Sequence, residues 1–371
     1  MLNPEMNGTT LTGKPSQRPY VMPVLRFGKA LDPRNNSLNF IRLILALMVL
    51  FAHSFHIVGA GNGPGFRGEN LGGWAVAGFF GISGYLITGS RFNNRLGTYL
   101  IHRVARIIPA FLVCLVVMAA VFAPIAYFLQ HASLHGFFQT PTTPLNSIFA
   151  NMFLKINSYD IAGTPAGVPY PGAWNGSLWT LYFEFLCYLL VAVLGTFAFV
   201  KKTPWPMLAA FLLSVAVWAN IDRLNPYMQG NLDFNLLARL APFFLGGAVV
   251  KVLSKRVGLS WQGAAVALVI SAAMVFGFDG FGNQLAAPFL AYTILWVSTW
   301  LPSPKIVMNN DVSYGAYIYA FPVQQLLAVF GAYHWGVWWF TLAALVATMP
   351  LAIASWLAVE QPVMRLARRR V

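Results

Sequence analysis

"FIRLILALMVLFAHSFH", residues 40–56, is apolar enough to lie in lipid except at three positions: Arg42 near its start, and His53 and His56 near its end. Arg42 and His53 are eleven residues apart. In a helix of about 100° and about 1.5 Å per residue, that separation returns to within about 20° of the same face and climbs about 16 Å. The two side chains therefore look the same way from different depths. Ionisable groups are costly to keep inside a membrane span, so such a pair marks a functional face.

The rest of the chain has the same character. Of its 371 residues 58% are hydrophobic and 9% charged, against about 25% charged in a soluble domain. Ten apolar segments of membrane-spanning length follow residue 36, at roughly 38–58, 72–90, 108–129, 178–199, 205–221, 236–252, 261–278, 284–301, 312–330 and 337–357. The expected fold is an all-α integral membrane protein of about ten transmembrane helices. Residues 1–36 are polar and basic, without the apolar run of a secretory signal, and are expected to form a cytoplasmic tail; residues 37–371 form the membrane domain and end in a short basic tail.

The formal charge of +14 is explained by placement. With the amino terminus inside, 19 of the 24 Lys and Arg fall on inner segments and three on outer loops (Arg67, Lys155, Arg223), while Arg42 and Arg239 lie within spans. That asymmetry is a positive-inside signal with both termini cytoplasmic, and no nucleic-acid partner is expected. Cys114 and Cys187 lie inside apolar segments and are expected to be small buried hydrophobes rather than a disulfide or metal pair. His53 and His56 form H-x-x-H without a nearby carboxylate or cysteine, so no metal is expected. The glycine-rich "GAGNGPGFRGENLGG", residues 59–73, falls between spans and suits a connection or a lid better than a phosphate cradle. With the long outer segment 130–177 it is expected to shape an outer groove.

Three further stretches carry the chemistry. In "GSLWTLYFEFLCYLL", residues 176–190, Thr180, Glu184 and Tyr188 share one helix face, and Glu184 is one of very few acids in any span. Its expected depth is that of His53, and a carboxylate beside an imidazole suits base catalysis. A structural Glu–His pair is the plainer alternative. In "YLIHRVARIIPAF", residues 99–111, Arg103 and Arg106 are neighbours at an inner mouth, where guanidiniums fork onto phosphate oxygens; positive-inside orientation accounts for part of this. In "VAGFFGISGYLITGS", residues 76–90, Gly78, Gly81, Ser83 and Gly84 let another helix approach closely, which favours packing over chemistry. A phosphate-holding mouth with a His/Glu pair deeper toward the outside suits a donor with an anionic head and a long thin arm, the shape of a coenzyme A thioester.

These stretches together resemble the acyltransferase-3 superfamily of bacterial integral membrane O-acyltransferases, over about residues 37–365. "RLILALMVLFAH" is similar to its R-X10-H motif, "GFFGISGYLI" to its F-F-x-I-S-G-Y-L element and "HRVARIIP" to its R-x-x-R motif. "SLWTLYFE" resembles W-S-L-x-x-E with Thr180 in place of serine, and "VSYGAYIYAFPV" and "VEQPVMRL" resemble its closing elements. The family often has histidine where this chain has Ala320, and arginine where it has His102; neither departure touches the expected chemistry. Many relatives carry a soluble outer hydrolase-like domain that passes the acyl group on. None is read here, so the membrane domain is expected to deliver the group itself.

The resemblance implies a multi-pass protein of the bacterial cytoplasmic membrane that uses acyl-CoA, chiefly acetyl-CoA, as co-substrate, with no permanently bound cofactor. Its expected product is an O-acylated glycan or exopolysaccharide on the outer face. His53 is the expected base and Glu184 its orienting partner; Arg42, Arg103 and Arg106 hold the donor; Thr180, Tyr188, Ser83, Tyr85 and Tyr314 are candidate supporting groups. Direct transfer is favoured, since no serine or cysteine is placed as nucleophile. The acceptor stays open between a glycan, a lipid-linked sugar or lipo-oligosaccharide, and a small metabolite. A proton-coupled transporter and a homo-oligomeric assembly also remain open.

Overall fold

The computed structural model describes residues 28–33, 35–304 and 310–369, so the greater part of the expected tail, 1–27, lies outside the described residues. Among the described residues the regular structure is helical apart from one hairpin of two-residue strands, Gly65–Phe66 against Glu69–Asn70. All ten apolar segments are helices. They are α1 (Leu38–Ile57), α2 (Leu71–Asn93), α3 (Leu96–Val117) continuing through a π turn into α4 (Ala123–His131), α6 (Trp179–Leu194), α8 (Trp205–Ala219) and α10 (Leu232–Leu253). The series closes with α11 (Trp261–Gly277), α13 (Ala287–Trp300), α14 (Ser313–Val329) and α15 (Gly336–Ser355), the last running through a π turn at Trp356–Glu360 into α16 (Gln361–Arg369). Short helices α5 (Pro144–Asn151), α7 (Ala198–Lys202), α9 (Ile221–Leu224) and α12 (Gly282–Leu285) lie in the connections.

Five stretches, Leu38–Ile57, Leu71–Asn93, Leu96–His131, Leu232–Leu253 and Ala332–Arg369, are long and apolar enough to cross a membrane. The outward faces fit lipid. Val266, Val269 and Phe276 on α11 and Trp338, Trp339 and Val346 on α15 are exposed, where a water-soluble fold would bury them.

Small residues set the centre. A Cβ added at Gly84 would stand 1.8 Å from the Phe244 carbonyl oxygen, and one at Gly247 would stand 1.9 Å from that of Gly81. Helices α2 and α10 therefore touch backbone to backbone, as small-residue interfaces allow. Gly81 also faces Ala291 of α13. The expected packing role of this glycine element is what the structure displays.

Hydrogen bonds tie distant segments together at each end of the bundle. At the basic end, Ser37 N donates to Ser298 O (2.8 Å), Lys29 bridges Leu259, and Arg91 Nε donates to Ala192 O (3.0 Å). At the loop end, Arg67 donates to Val275 O (2.8 Å) and Phe276 O (2.9 Å), and Trp218 Nε1 donates to Gly280 O (2.8 Å).

One helix interruption ties the long loop to the bundle. Pro322 in α14 has no N–H, so the Ile318 carbonyl loses the donor that normally comes four residues on. The Asn175 side chain supplies a replacement (Nδ2 to Ile318 O, 2.9 Å), with the Cys114 thiol at 3.4 Å as a weaker one. Asn175 Oδ1 in turn accepts from Ser177 N at 3.0 Å. Three residues on from Pro322, Gln325 donates to Ala173 O (2.6 Å), holding the same loop.

Two outcomes follow from this packing. Gly84→Ala should cost about 1–3 kcal/mol as an overpacked contact, seen as a lower Tm in detergent, while Gly97→Ala, in α3 with nothing within 4 Å of its added Cβ, should not lower Tm. Asn175→Ala leaves the Ile318 carbonyl to a thiol donor alone and should cost about 1–3 kcal/mol by the same measurement.

Candidate active site

His53 lies one turn before the end of α1, its ring edge-on to Phe321 (centroids 5.0 Å apart). Its Nδ1 is 3.4 Å from Ser177 Oγ, and among the described residues no hydrogen bond is made by its Nε2. The ring borders a cavity of about 350 Å³ at the loop end. Trp74 and Trp179 supply aromatic surface there, and Asn70 Nδ2 lies 3.4 Å from His56 Nε2. Arg239, the second in-span arginine, forks onto Glu69: Nε to Oε1 at 2.9 Å, with Nη2 on Oε2. An apolar hollow with a few convergent polar groups is the usual form of a small-molecule site.

Val76, Thr180 and Tyr317 line this cavity and also a second, deeper one of about 30 Å³. They form the neck between the two. Thr180 Oγ1 and Tyr317 OH are 2.6 Å apart, and both reach the Ser177 carbonyl, at 3.0 and 3.2 Å. The deeper cavity has room for about one water. Arg42, Glu184, Ser313 and Tyr314 contribute its polar lining.

Glu184 Oε1 accepts from Ser83 Oγ (2.6 Å) and Tyr188 OH (2.7 Å), which brings three of the expected residues together. Arg103 sits between the Tyr99 and Tyr188 rings, 5.8 and 5.9 Å from their centroids, a cation–π setting. Its Nε is buried without a hydrogen bond, and no carboxylate pairs with it among the described residues.

Arg42 and Arg106 are arranged differently. Both donate to Asp311 Oδ2, Arg106 at 2.5 Å, and Arg106 also reaches Glu360 Oε2 at 3.1 Å. Ser313 donates to Asp311 Oδ1 and Ser355 to Glu360 Oε1 (3.0 Å), so each carboxylate is also held by a hydroxyl. Two cations and two anions leave the cluster neutral. The π turn after α15 carries Glu360 into it, a common placement for such turns. Of the remaining supporting candidates, Tyr314 OH donates to Ile107 O (2.9 Å) and the Tyr85 ring lies under Lys251 Nζ at 4.7 Å, so both are engaged with protein groups.

The expected His53–Glu184 contact is not made. Helix α6 starts only at Trp179, so Ser177 at its mouth is the residue that meets His53. Glu184, seven residues further along, lies about 10 Å deeper. The expectation that Arg42 and Arg106 stand ready for an anionic donor also changes, because Asp311 and Glu360 hold them. Sequence reading missed four residues: Asp311, Glu360, Ser177 and Tyr317. The two acids had a signal. With only ten Asp and Glu in the chain, an acid at the edge of an apolar helix needs a basic partner, and both stand at the edges of the two closing motifs.

Comparison with known proteins places the chain in a family. A family model described as "Acyltransferase domain", of the acyltransferase-3 family, matches residues 35–357. An O-acetyl transferase of Shigella phage Sf6 is 29% identical over 343 residues, covering 88% of this chain and 96% of its own. Nodulation protein 10 of Rhizobium leguminosarum bv. viciae is 28% identical over 359 residues, covering 89% and 94%. No solved structure matches the chain significantly. With a family match over nearly its whole length and several helices fit to cross a membrane, the chain belongs to the acyltransferase-3 family and is a multi-pass membrane acyltransferase.

Proposed function

We propose that the protein is an O-acyltransferase of the bacterial inner membrane that moves an acetyl group from cytoplasmic acetyl-CoA to a hydroxyl of an extracytoplasmic glycan. One observation carries the reading. A histidine with a free ring nitrogen borders a cavity at the loop end, and one hydroxyl pair separates that cavity from a deeper one lined by Arg42 and Glu184. A two-substrate reaction across a membrane needs such an arrangement, with a donor side, an acceptor side and a base where they meet.

In this reading the ten helices alternate between the basic end, in the cytoplasm, and the loop end, outside, with both termini cytoplasmic. Acetyl is favoured because the phage relative is named an O-acetyl transferase. A sugar acceptor suits the outer cavity, where the Trp74 and Trp179 faces lie beside the amides and the Glu69–Arg239 fork. Arg103, the arginine of the R-x-x-R pair without a carboxylate, is the group free to hold a donor phosphate. Arg42 and Arg106, locked on Asp311 and Glu360, shape the passage instead. A deeper cavity of about 30 Å³ is too small for a pantetheine chain, so donor entry widens it. His53, fixed by Ser177 and Phe321, then takes the proton of the acceptor hydroxyl through Nε2. Glu184 acts from the donor side, where it holds Ser83 and Tyr188.

The test is thiol release from acetyl-CoA by the purified full chain in detergent. His53→Ala should lower turnover by about 100-fold or more with CoA binding retained; a wild type that binds no acetyl-CoA and turns over no faster than this variant would sink the reading. Arg103→Gln should weaken acetyl-CoA by about 10- to 100-fold, the worth of a charge-assisted hydrogen bond, and leave acetyl-pantetheine, which has no phosphates, unaffected; equal loss for both donors would remove Arg103 from phosphate recognition. Asp311→Asn frees two buried arginines at once and should lower stability by about 3–5 kcal/mol, read as a fall in Tm.

A further inference from the structure

We propose that the Tyr317 hydroxyl is the donor that stabilises the tetrahedral oxyanion, and that Thr180 is the positioning residue that frees it to do so. The inference rests on the acyl-transfer reading and deepens it.

Location comes first. If the thioester arrives from the deeper cavity and the hydroxyl from the outer one, the carbonyl carbon is attacked at the neck. Of the three residues lining both cavities, Val76 has no polar side-chain atom, which leaves Thr180 and Tyr317. They belong to the same hydrogen-bonded group as the base: His53 meets Ser177 Oγ, and the Ser177 carbonyl meets both hydroxyls. The Phe79 ring, edge-on to Tyr317 at 5.6 Å, fixes the phenol at the neck.

Proton counting then separates the roles. Thr180 and Tyr317 carry one hydroxyl proton each but share three contacts: with each other at 2.6 Å, and with the Ser177 carbonyl at 3.0 and 3.2 Å. Two protons cannot serve three contacts as donors, so one contact is always redundant. When Thr180 donates to the Ser177 carbonyl, that buried acceptor is satisfied and the Tyr317 proton can turn to a developing oxyanion at the loss of one contact. Without the threonine hydroxyl, the carbonyl keeps the long contact from the Thr180 backbone N–H (3.4 Å) and the Tyr317 hydroxyl at 3.2 Å, so Tyr317 is drawn to the carbonyl and away from the reaction.

The step balances. The acceptor oxygen bonds to the thioester carbonyl carbon while its proton passes to His53 Nε2, and the carbonyl π pair moves onto oxygen, where Tyr317 donates to it. Collapse re-forms the carbonyl and breaks the carbon–sulfur bond. The departing thiolate takes the proton from His53, giving an ester and free CoA thiol.

The experiment compares wild type, Tyr317→Phe, Thr180→Val, Thr180→Ser and His53→Ala as full-length protein in detergent, with acetyl-CoA as donor and glycerol as the hydroxyl probe. It follows kcat, KM for acetyl-CoA and Tm. Tyr317→Phe should lower kcat by about 10²- to 10³-fold, as loss of one oxyanion donor does, with KM within about twofold. Thr180→Val should lower kcat while keeping Tm, and Thr180→Ser should restore it, which a merely structural role would not predict. Tyr317→Phe turning over within about threefold of wild type, or raising KM alone, while His53→Ala is inactive, overturns the oxyanion role and leaves the acyltransferase reading standing. Should Tyr317→Phe not fold, the decision passes to Thr180→Val: unchanged kcat overturns the proposal. Full activity in His53→Ala, or no thiol release by wild type, removes the underlying reading and this inference with it.

Discussion

A proline in α14 sets the conditions for the site. Because Pro322 cannot donate, the Ile318 carbonyl sits in the bundle with unmet demand, and a polar group in an apolar surround must find a partner. Asn175 answers from the loop before α6 and fixes the residues that follow it, Ser177 at His53 and Thr180 at Tyr317. Gln324, on the same helix, donates to Leu50 O (2.9 Å) and Ser54 Oγ (2.8 Å) of α1, on either side of His53. Helix α14 therefore anchors both the histidine and the loop that faces it. The geometry of the candidate site depends on one helix that uses side chains, rather than apolar packing alone, to hold its neighbours.

Charge is handled by the same rule at the other end of the passage. Four ionised groups, Arg42, Arg106, Asp311 and Glu360, come from α1, α3, the start of α14 and the turn after α15. Each would be expensive alone in a membrane interior, and together their charges balance and each is hydrogen-bonded within the cluster. Arg103, three residues from Arg106 and outside the cluster, lies between two aromatic faces and forms no salt bridge among the described residues. Two arginines of one motif thus fall into different classes, one closing a structural knot and the other keeping its hydrogen-bonding capacity.

Much of this was legible in the sequence. The ten apolar segments became ten helices because length and hydropathy are local properties. Gly81 and Gly84 announced a close helix contact because only the absence of a Cβ permits one. The i, i+4 spacing of Glu184 and Tyr188 gave their hydrogen bond directly. Contacts between helices were harder. Relative depth depends on where a helix begins, and a start at Trp179 is enough to replace Glu184 by Ser177 beside His53. Tyr317 carried no sequence signal of its own, because its position between two cavities exists only once α2, α6 and α14 are packed. Asp311 and Glu360 show the opposite case, since their scarcity made them detectable although their partners could not be named.

On the proposed function, the neck is what keeps the donor and acceptor sides apart. A thioester that met water freely would hydrolyse, so a passage between two aqueous compartments must stay closed except where acyl group and hydroxyl meet. A purely apolar plug would close it and contribute nothing to the reaction. Two hydroxyls sharing one backbone carbonyl close it with groups that are already satisfied, so the closed form leaves no buried donor unmet. The same groups can exchange one partner for another without breaking the rest of the network. On the proposed mechanism, closure and stabilisation of developing charge draw on one set of atoms, which is economical in an apolar bundle.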